Sequence, residues 1–228
     1  MKNNKEIIYG TGITIAIFLI STLVGKSINI DSKFFSSSIT THLLMLILSI
    51  CAIFIFKRQI NFKIKLPKFK TIFTPILAGL LITILVNIIM SITTIISGGN
   101  ISAHSLVSNM NFIQLFISVF ILASIAEELL FRGFLQNMLA SLNKFGIKLF
   151  KIRLSLPVII SALMFGLAHI IIAQSGADFW LVLRTVIFTT VLGLAAGYYQ
   201  EKYNNSFYAI IVHMAGNLPA LISSLLMM

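Results

Sequence analysis

The chain has 228 residues, of which 58% are apolar and only 10% are Asp, Glu, Lys or Arg, with a mean hydropathy of +1.01. A water-soluble domain usually carries about 25% charged residues, and this chain lacks the polar side chains to cover such a surface. Its formal charge of +11 would suit nucleic acid on a soluble fold, but the basic residues cluster between apolar stretches, where lipid headgroups account for them and nucleic acid is not implied.

A helix crosses a hydrocarbon core of about 30 Å with roughly 20 apolar residues. The first predicted span covers residues 7–24; it follows Lys2 and Lys5, lacks a small-residue cleavage site and reads as a retained helix. A polar link with Asp31, Lys33, Ser36, Ser37 and Ser38 leads to a second, short span at residues 41–56. Lys57, Arg58, Lys63, Lys65, Lys68 and Lys70 follow, with Pro67 among them. Phe62, Ile64 and Leu66 alternate with the lysines here, so the segment is expected to lie on the membrane surface.

The third predicted span is residues 72–96, closed by Gly98, Gly99 and Asn100. The fourth begins near Phe112 after a polar, uncharged loop and meets Glu127 and Glu128; its helical tail extends toward Asn143. Lys144, Lys148, Lys151 and Arg153 form a second basic loop. The fifth span covers residues 154–173, with Pro157 in its first turn; the sixth covers 179–199 around Arg184, and the seventh 207–226.

The predicted fold class is therefore an all-α, polytopic transmembrane bundle of about seven spans (six to eight), a single domain over residues 1–228 with no internal repeat. The three basic segments belong on the cytoplasmic side, which puts the N-terminus inside and the C-terminus outside. Cys51 is the only cysteine, so no intrachain disulfide forms, and it reads as a small packing residue. Trp180, Tyr198, Tyr199 and Tyr203 fit interfacial belts, and Arg184 reads as a snorkelling or paired residue near a helix end.

Several polar residues lie where lipid-facing helices have no use for them. One acidic side chain near the centre of a span costs about 2.5–3.5 kcal/mol on insertion scales, so the adjacent Glu127 and Glu128 must be satisfied inside the bundle. Adjacent helical residues point about 100° apart, so the two carboxylates have different neighbours. Arg132 is four residues beyond Glu128, which suits an ion pair with an orienting role. Glu127 is left as the candidate general base.

His169 lies in the fifth span with Phe165 one turn before it, and His213 lies in the seventh with Asn217 one turn after it. Glu127 with His169 can activate water. A ring N–H of His213 and the amide of Asn217 can face a developing oxyanion. There is no His-Glu-x-x-His sequence; no obligatory metal is expected, and if zinc were held, Glu127, His169 and His213 would hold it. His42, at a helix start, and His104, in a loop, are assigned no role. Upright helices would put Glu127 near mid-depth, His169 toward the outer end of its span and His213 in the inner half. Their meeting would need tilt, a re-entrant segment or an earlier start to the fifth helix.

These motifs resemble those of the CAAX-protease and bacteriocin-processing (Abi) family of intramembrane proteases. Glu127, Glu128 and Arg132 fall in an E-E-x-x-x-R pattern, Phe165 and His169 in F-x-x-x-H, and His213 and Asn217 in H-x-x-x-N. The resemblance covers residues 112–222, a catalytic core, whereas residues 1–111 show only generic N-terminal spans. It implies that Glu127 and His169 activate water, that His213 and Asn217 line the oxyanion site, and that Glu128 and Arg132 organise it; Phe165, on the same helix face as His169, is expected to orient the imidazole by packing beside it.

The function expected is an intramembrane endopeptidase of the cell membrane, acting on a hydrophobic or membrane-associated peptide. For a bacterial protein the resemblance implies roles such as bacteriocin immunity or signal-peptide maturation. The other readings are a non-enzymatic immunity or regulatory protein retaining the protease fold, and a proton-coupled transporter. Anionic lipid is the expected partner of the basic loops, and the oligomeric state is left open.

Overall fold

The computed structural model describes residues 2–28, 34, 36, 38–101 and 110–226. Asp31, Lys33, Ser37 and His104 lie outside the described residues.

Among them are seven helices long and apolar enough to cross a membrane: Lys5–Ser27, Ser38–Ile55, Phe69–Ile96, Phe112–Gln136, Leu156–Ser175, Phe179–Tyr203 and Phe207–Leu226. They match the seven predicted spans in order, and the chain is a multi-pass membrane protein. We label them α1 (Lys2–Ser27), α2 (Ser38–Ile55), α3 (Phe73–Ile96), α4 (Phe112–Gln136), α5 (Leu156–Ala168), α6 (Phe179–Tyr203) and α7 (Phe207–Leu226).

Local chemistry sets the helix ends. Asn111 and Gln114 form a reciprocal capping box that starts α4. Ser155 accepts from the Val158 N–H and Pro157 follows in the first turn, which starts α5 at Leu156. Asp178 caps α6 through the Leu181 N–H, and Asn204 ends it in the left-handed conformation at φ 47°. Within the helices, hydroxyls are satisfied locally: Thr14 donates to the Gly10 carbonyl, Ser49 to Met45 and Thr94 to Met90. That is the economical arrangement where no water is at hand.

The bundle is arranged around α4. Every residue from Leu129 to Gln136 is buried, whereas α3 exposes Leu77, Leu81, Ile84, Leu85, Ile88, Ile89 and Ile92. A soluble protein would hide such a face; here it is the lipid-contacting surface. Helix α4 is not uniformly wound: Leu115–Ala123 and Leu129–Gln136 are π-helical, flanking an α-helical turn at Ser124–Glu128. Wide turns of this kind re-aim the side chains between them.

Two close approaches depend on glycine. A side chain at Gly79 would strike the Val212 carbonyl, so α3 and α7 meet backbone to backbone, and Thr83 donates across the gap to the Gly216 carbonyl at 3.0 Å. A side chain at Gly193 of α6 would collide with the Arg132 guanidinium.

The two basic segments differ in form. Residues 60–68 form neither helix nor ladder, and dock on the α6–α7 turn: Ser206 N–H donates to Lys63 O, and Asn205 pairs with both the N–H and the carbonyl of Lys65. The second, expected as a loop, contains a short antiparallel hairpin of β1 (Gly146–Leu149) and β2 (Ile152–Ser155). Phe150 stands at its turn with φ 53° and is 91% exposed. Alternation of Ile147, Leu149, Ile152 and Leu154 with basic residues is the period-two pattern that favours strands over helix here.

Candidate functional site

Glu127 lies in the short α-helical turn of α4, and its carboxylate faces three other helices. His42 Nε2 of α2 lies 3.3 Å from Glu127 Oε1, and His213 Nε2 of α7 lies 3.9 Å from Glu127 Oε2. His169, where α5 gives way to a 3-10 turn (His169–Ser175), is within electrostatic range of both Glu127 and His213. The depths expected of upright helices did not agree, yet these groups meet.

Glu128 faces another way, as the 100° step requires. Its Oε1 accepts from Arg132 Nη1 at 2.8 Å and from His213 Nδ1 at 2.9 Å. Glu128 is 1% exposed and Arg132 fully buried, so each charge depends on the other. The guanidinium also stacks 4.5 Å from the centre of the Phe165 ring.

Phe165 is the packing centre. Its ring stands 5.0 Å from that of His169, 5.6 Å from that of His213 and 5.1 Å from that of Phe131. It thereby fixes the spacing between α5 and α7 at the two imidazoles. Ser161 donates to the Phe131 carbonyl at 2.7 Å, holding α5 against the π-helical part of α4.

Hydrogen-bond partners decide the ring protons. His42 Nδ1 faces Ser38 O at 2.9 Å and His169 Nδ1 faces Phe165 O at 2.9 Å. A carbonyl has no proton to give, so both nitrogens carry one. His213 Nδ1 faces a carboxylate already held by an arginine, so it too donates. In each neutral ring the atom left is a bare Nε2. This changes the expected part of His213: its N–H points to Glu128, and Nε2 donates into the site only from the doubly protonated ring.

Asn217, also expected on the oxyanion side, is one turn beyond His213. Its amide donates to Ser124 Oγ at 3.1 Å and more weakly to Val119 O at 3.4 Å, both on α4. The structure thus gathers Glu127, His169 and His213, braces them with Glu128, Arg132 and Phe165, and ties Asn217 to the turn just before Glu127.

His42 belongs to the group, although the sequence reading assigned it nothing. The signal was an imidazole inside an apolar run, the same anomaly that marked His169 and His213. A span beginning at Thr41 leaves His42 at a helix start, whereas α2 begins at Ser38 and carries His42 one turn into the helix.

Among the described residues no group of three or more His, Cys, Asp or Glu side chains is placed to hold a metal ion.

Comparison with known proteins agrees with the motifs. Residues 109–219, just under half of the chain, match the Rce1-like family, described as type II CAAX prenyl endopeptidase Rce1-like. The comparisons with curated proteins and with solved structures gave no match.

Proposed function

We propose, from the homology of residues 109–219 with the Rce1-like CAAX proteases, that this chain is an intramembrane endopeptidase hydrolysing a peptide bond with water activated at Glu127. The observation that carries the reading is the Glu127 carboxylate held among imidazoles from three helices, beside the buried Glu128–Arg132–His213 brace. A bundle needing only to anchor itself has no use for two adjacent carboxylates here.

The chemistry follows from the atoms. Water binds between Glu127 Oε2 and the Nε2 of His169, Glu127 takes its proton, and the oxygen attacks the substrate carbonyl carbon. The carbonyl electron pair becomes an oxyanion. His213 in its doubly protonated form, and Asn217 after exchanging its bond to Ser124, donate to it. The intermediate collapses with loss of the amine, whose nitrogen receives the proton carried by Glu127. No step in this scheme requires a metal.

An apolar cleft of about 490 Å³ opens between α1 and α5, lined by Phe18, Phe131, Met164, Leu167, Ala168 and Gln174. Phe131 packs against Phe165 and Ala168 precedes His169, so the cleft lies beside the cluster. That favours a hydrophobic or membrane-associated peptide as substrate. The reading also puts the protein in the bacterial cell membrane, N-terminus in the cytoplasm. Residues 112–222 then form the catalytic core, and the basic segments 57–70 and 144–153 rest on anionic lipid. Bacteriocin immunity or signal-peptide maturation are fitting roles.

The test is purified protein incubated with a panel of lipophilic peptides, wild type beside Glu127→Ala, with and without chelator, and products read by mass spectrometry. Cleavage that Glu127→Ala abolishes and chelator leaves intact is expected. Cleavage by Glu127→Ala at the wild-type rate rules out the assigned base, and loss on chelation rules out the metal-free scheme. Intact peptides together with proton flux in sealed vesicles would favour a carrier.

A further inference from the structure

Glu127 sits in a polar cluster, but a general base must also be held still. A carboxylate rotates about its last bond, and a base works only when its oxygen comes within about 2.6–3.2 Å of the atom that carries the proton. The groups facing Glu127 from the packed helices are His42 on α2, His169 on α5 and His213 on α7, and Arg132 of α4 acts on it electrostatically. His213 approaches Oε2 only to 3.9 Å, outside hydrogen-bond reach. The Nδ1 protons of His169 and His213 are committed to Phe165 O and Glu128 Oε1, and Arg132 is paired with Glu128. Among the described residues, the hydrogen bond to the Glu127 carboxylate comes from His42, at Oε1.

The His42 ring is itself anchored. Its Nδ1–H is fixed on Ser38 O, which turns Nε2 outward to Glu127. The start of α2 is tied to α4 through Ser36, whose hydroxyl contacts Ser38 Oγ at 2.8 Å and Ser118 Oγ at 2.9 Å. Ser118 is on the same helix as Glu127, so donor and acceptor share one frame. The two side chains are 14% and 13% exposed, so water competes weakly for the bond. With Nδ1 donating to Ser38 O, Nε2 donates to the ionised Glu127 carboxylate from the doubly protonated ring.

We propose that His42 is a positioning residue for the general base: its hydrogen bond to Oε1 of Glu127 locks the carboxylate so that Oε2 is presented to the hydrolytic water between His169 and His213. The inference rests on the protease reading, and it extends the site to a helix outside the homologous residues 109–219. Residues that look like a generic N-terminal span thereby complete the catalytic geometry.

The experiment uses the full chain in nanodiscs with two readouts. In the first, His42→Ala lowers kcat about 100-fold with KM within about 2-fold, the size expected when a catalytic group drifts by about 1 Å. His42→Gln, whose terminal N–H occupies nearly the position of Nε2, recovers kcat to within about 10-fold of wild type. A wild-type kcat in His42→Ala, a change confined to KM, or no recovery in His42→Gln overturns the proposal. The second readout is ¹⁵N-histidine NMR, which needs no turnover. The His42 signal, identified by its loss in His42→Gln, is expected to move in Glu127→Gln, and an unmoved signal overturns the contact. Should the signal move while wild type cleaves no peptide, the contact stands, and the protease reading and the positioning role fall together.

Discussion

Replacing Arg132 by Met tests whether the ion pair beneath the site is its structural brace. Arg132 is fully buried and its Nη1 lies 2.8 Å from Glu128 Oε1, so Arg132→Met strands a buried carboxylate with His213 as its remaining partner. Removing one member of such a pair costs about 3–5 kcal/mol, because the remaining charge has no water to turn to. The guanidinium's place over the Phe165 ring adds about 0.5–2 kcal/mol. Met retains most of the side-chain volume, so a cavity contributes little.

The lower figure of about 3 kcal/mol already corresponds to more than 100-fold in the folding equilibrium. Refolding in bicelles titrated with a denaturing detergent reads this through Trp180, the only tryptophan. Glu128→Gln combined with Arg132→Met removes both charges and is expected to recover most of the loss, since the penalty belongs to the unpaired charge. A single-variant cost below about 1 kcal/mol, or a double variant in which the two costs simply add, would refute the brace.

Two further outcomes follow from packing. Gly79→Val separates α3 from α7 by pressing on the Val212 carbonyl and breaks the Thr83–Gly216 bond; a loss of about 1–3 kcal/mol is expected in the same titration, and a neutral result would show that the helices do not touch there. Met164→Trp fills part of the cleft between α1 and α5, so KM for lipophilic peptides should rise by about 10-fold with kcat little changed. An unchanged KM would show that substrate reaches Glu127 by another path.

Much of the site was readable one helix at a time. Glu128 and Arg132 pair at the spacing of four that their helix imposes, and Phe165 lies against His169 for the same reason. Glu127 stood out because no local partner was in reach. Contacts between helices were a different matter. That His213 gives its N–H to Glu128, and that Asn217 gives its amide to Ser124, depends on how α7 is rotated against α4, which periodicity within either helix does not specify.

The sequence by itself determined the solvent, the number of spans and the chemistry available. Apolar runs of about 20 residues have one stable environment, and buried carboxylates and imidazoles announce their cost wherever they occur. Only the tertiary structure decided which imidazole meets which oxygen. His42 and Glu127 are 85 residues apart, and their contact follows from α2 lying beside the short α-helical turn that two π-helical stretches isolate in α4. Such a contact is a property of helix rotation, tilt and local winding, which side-chain packing sets after the spans are in place.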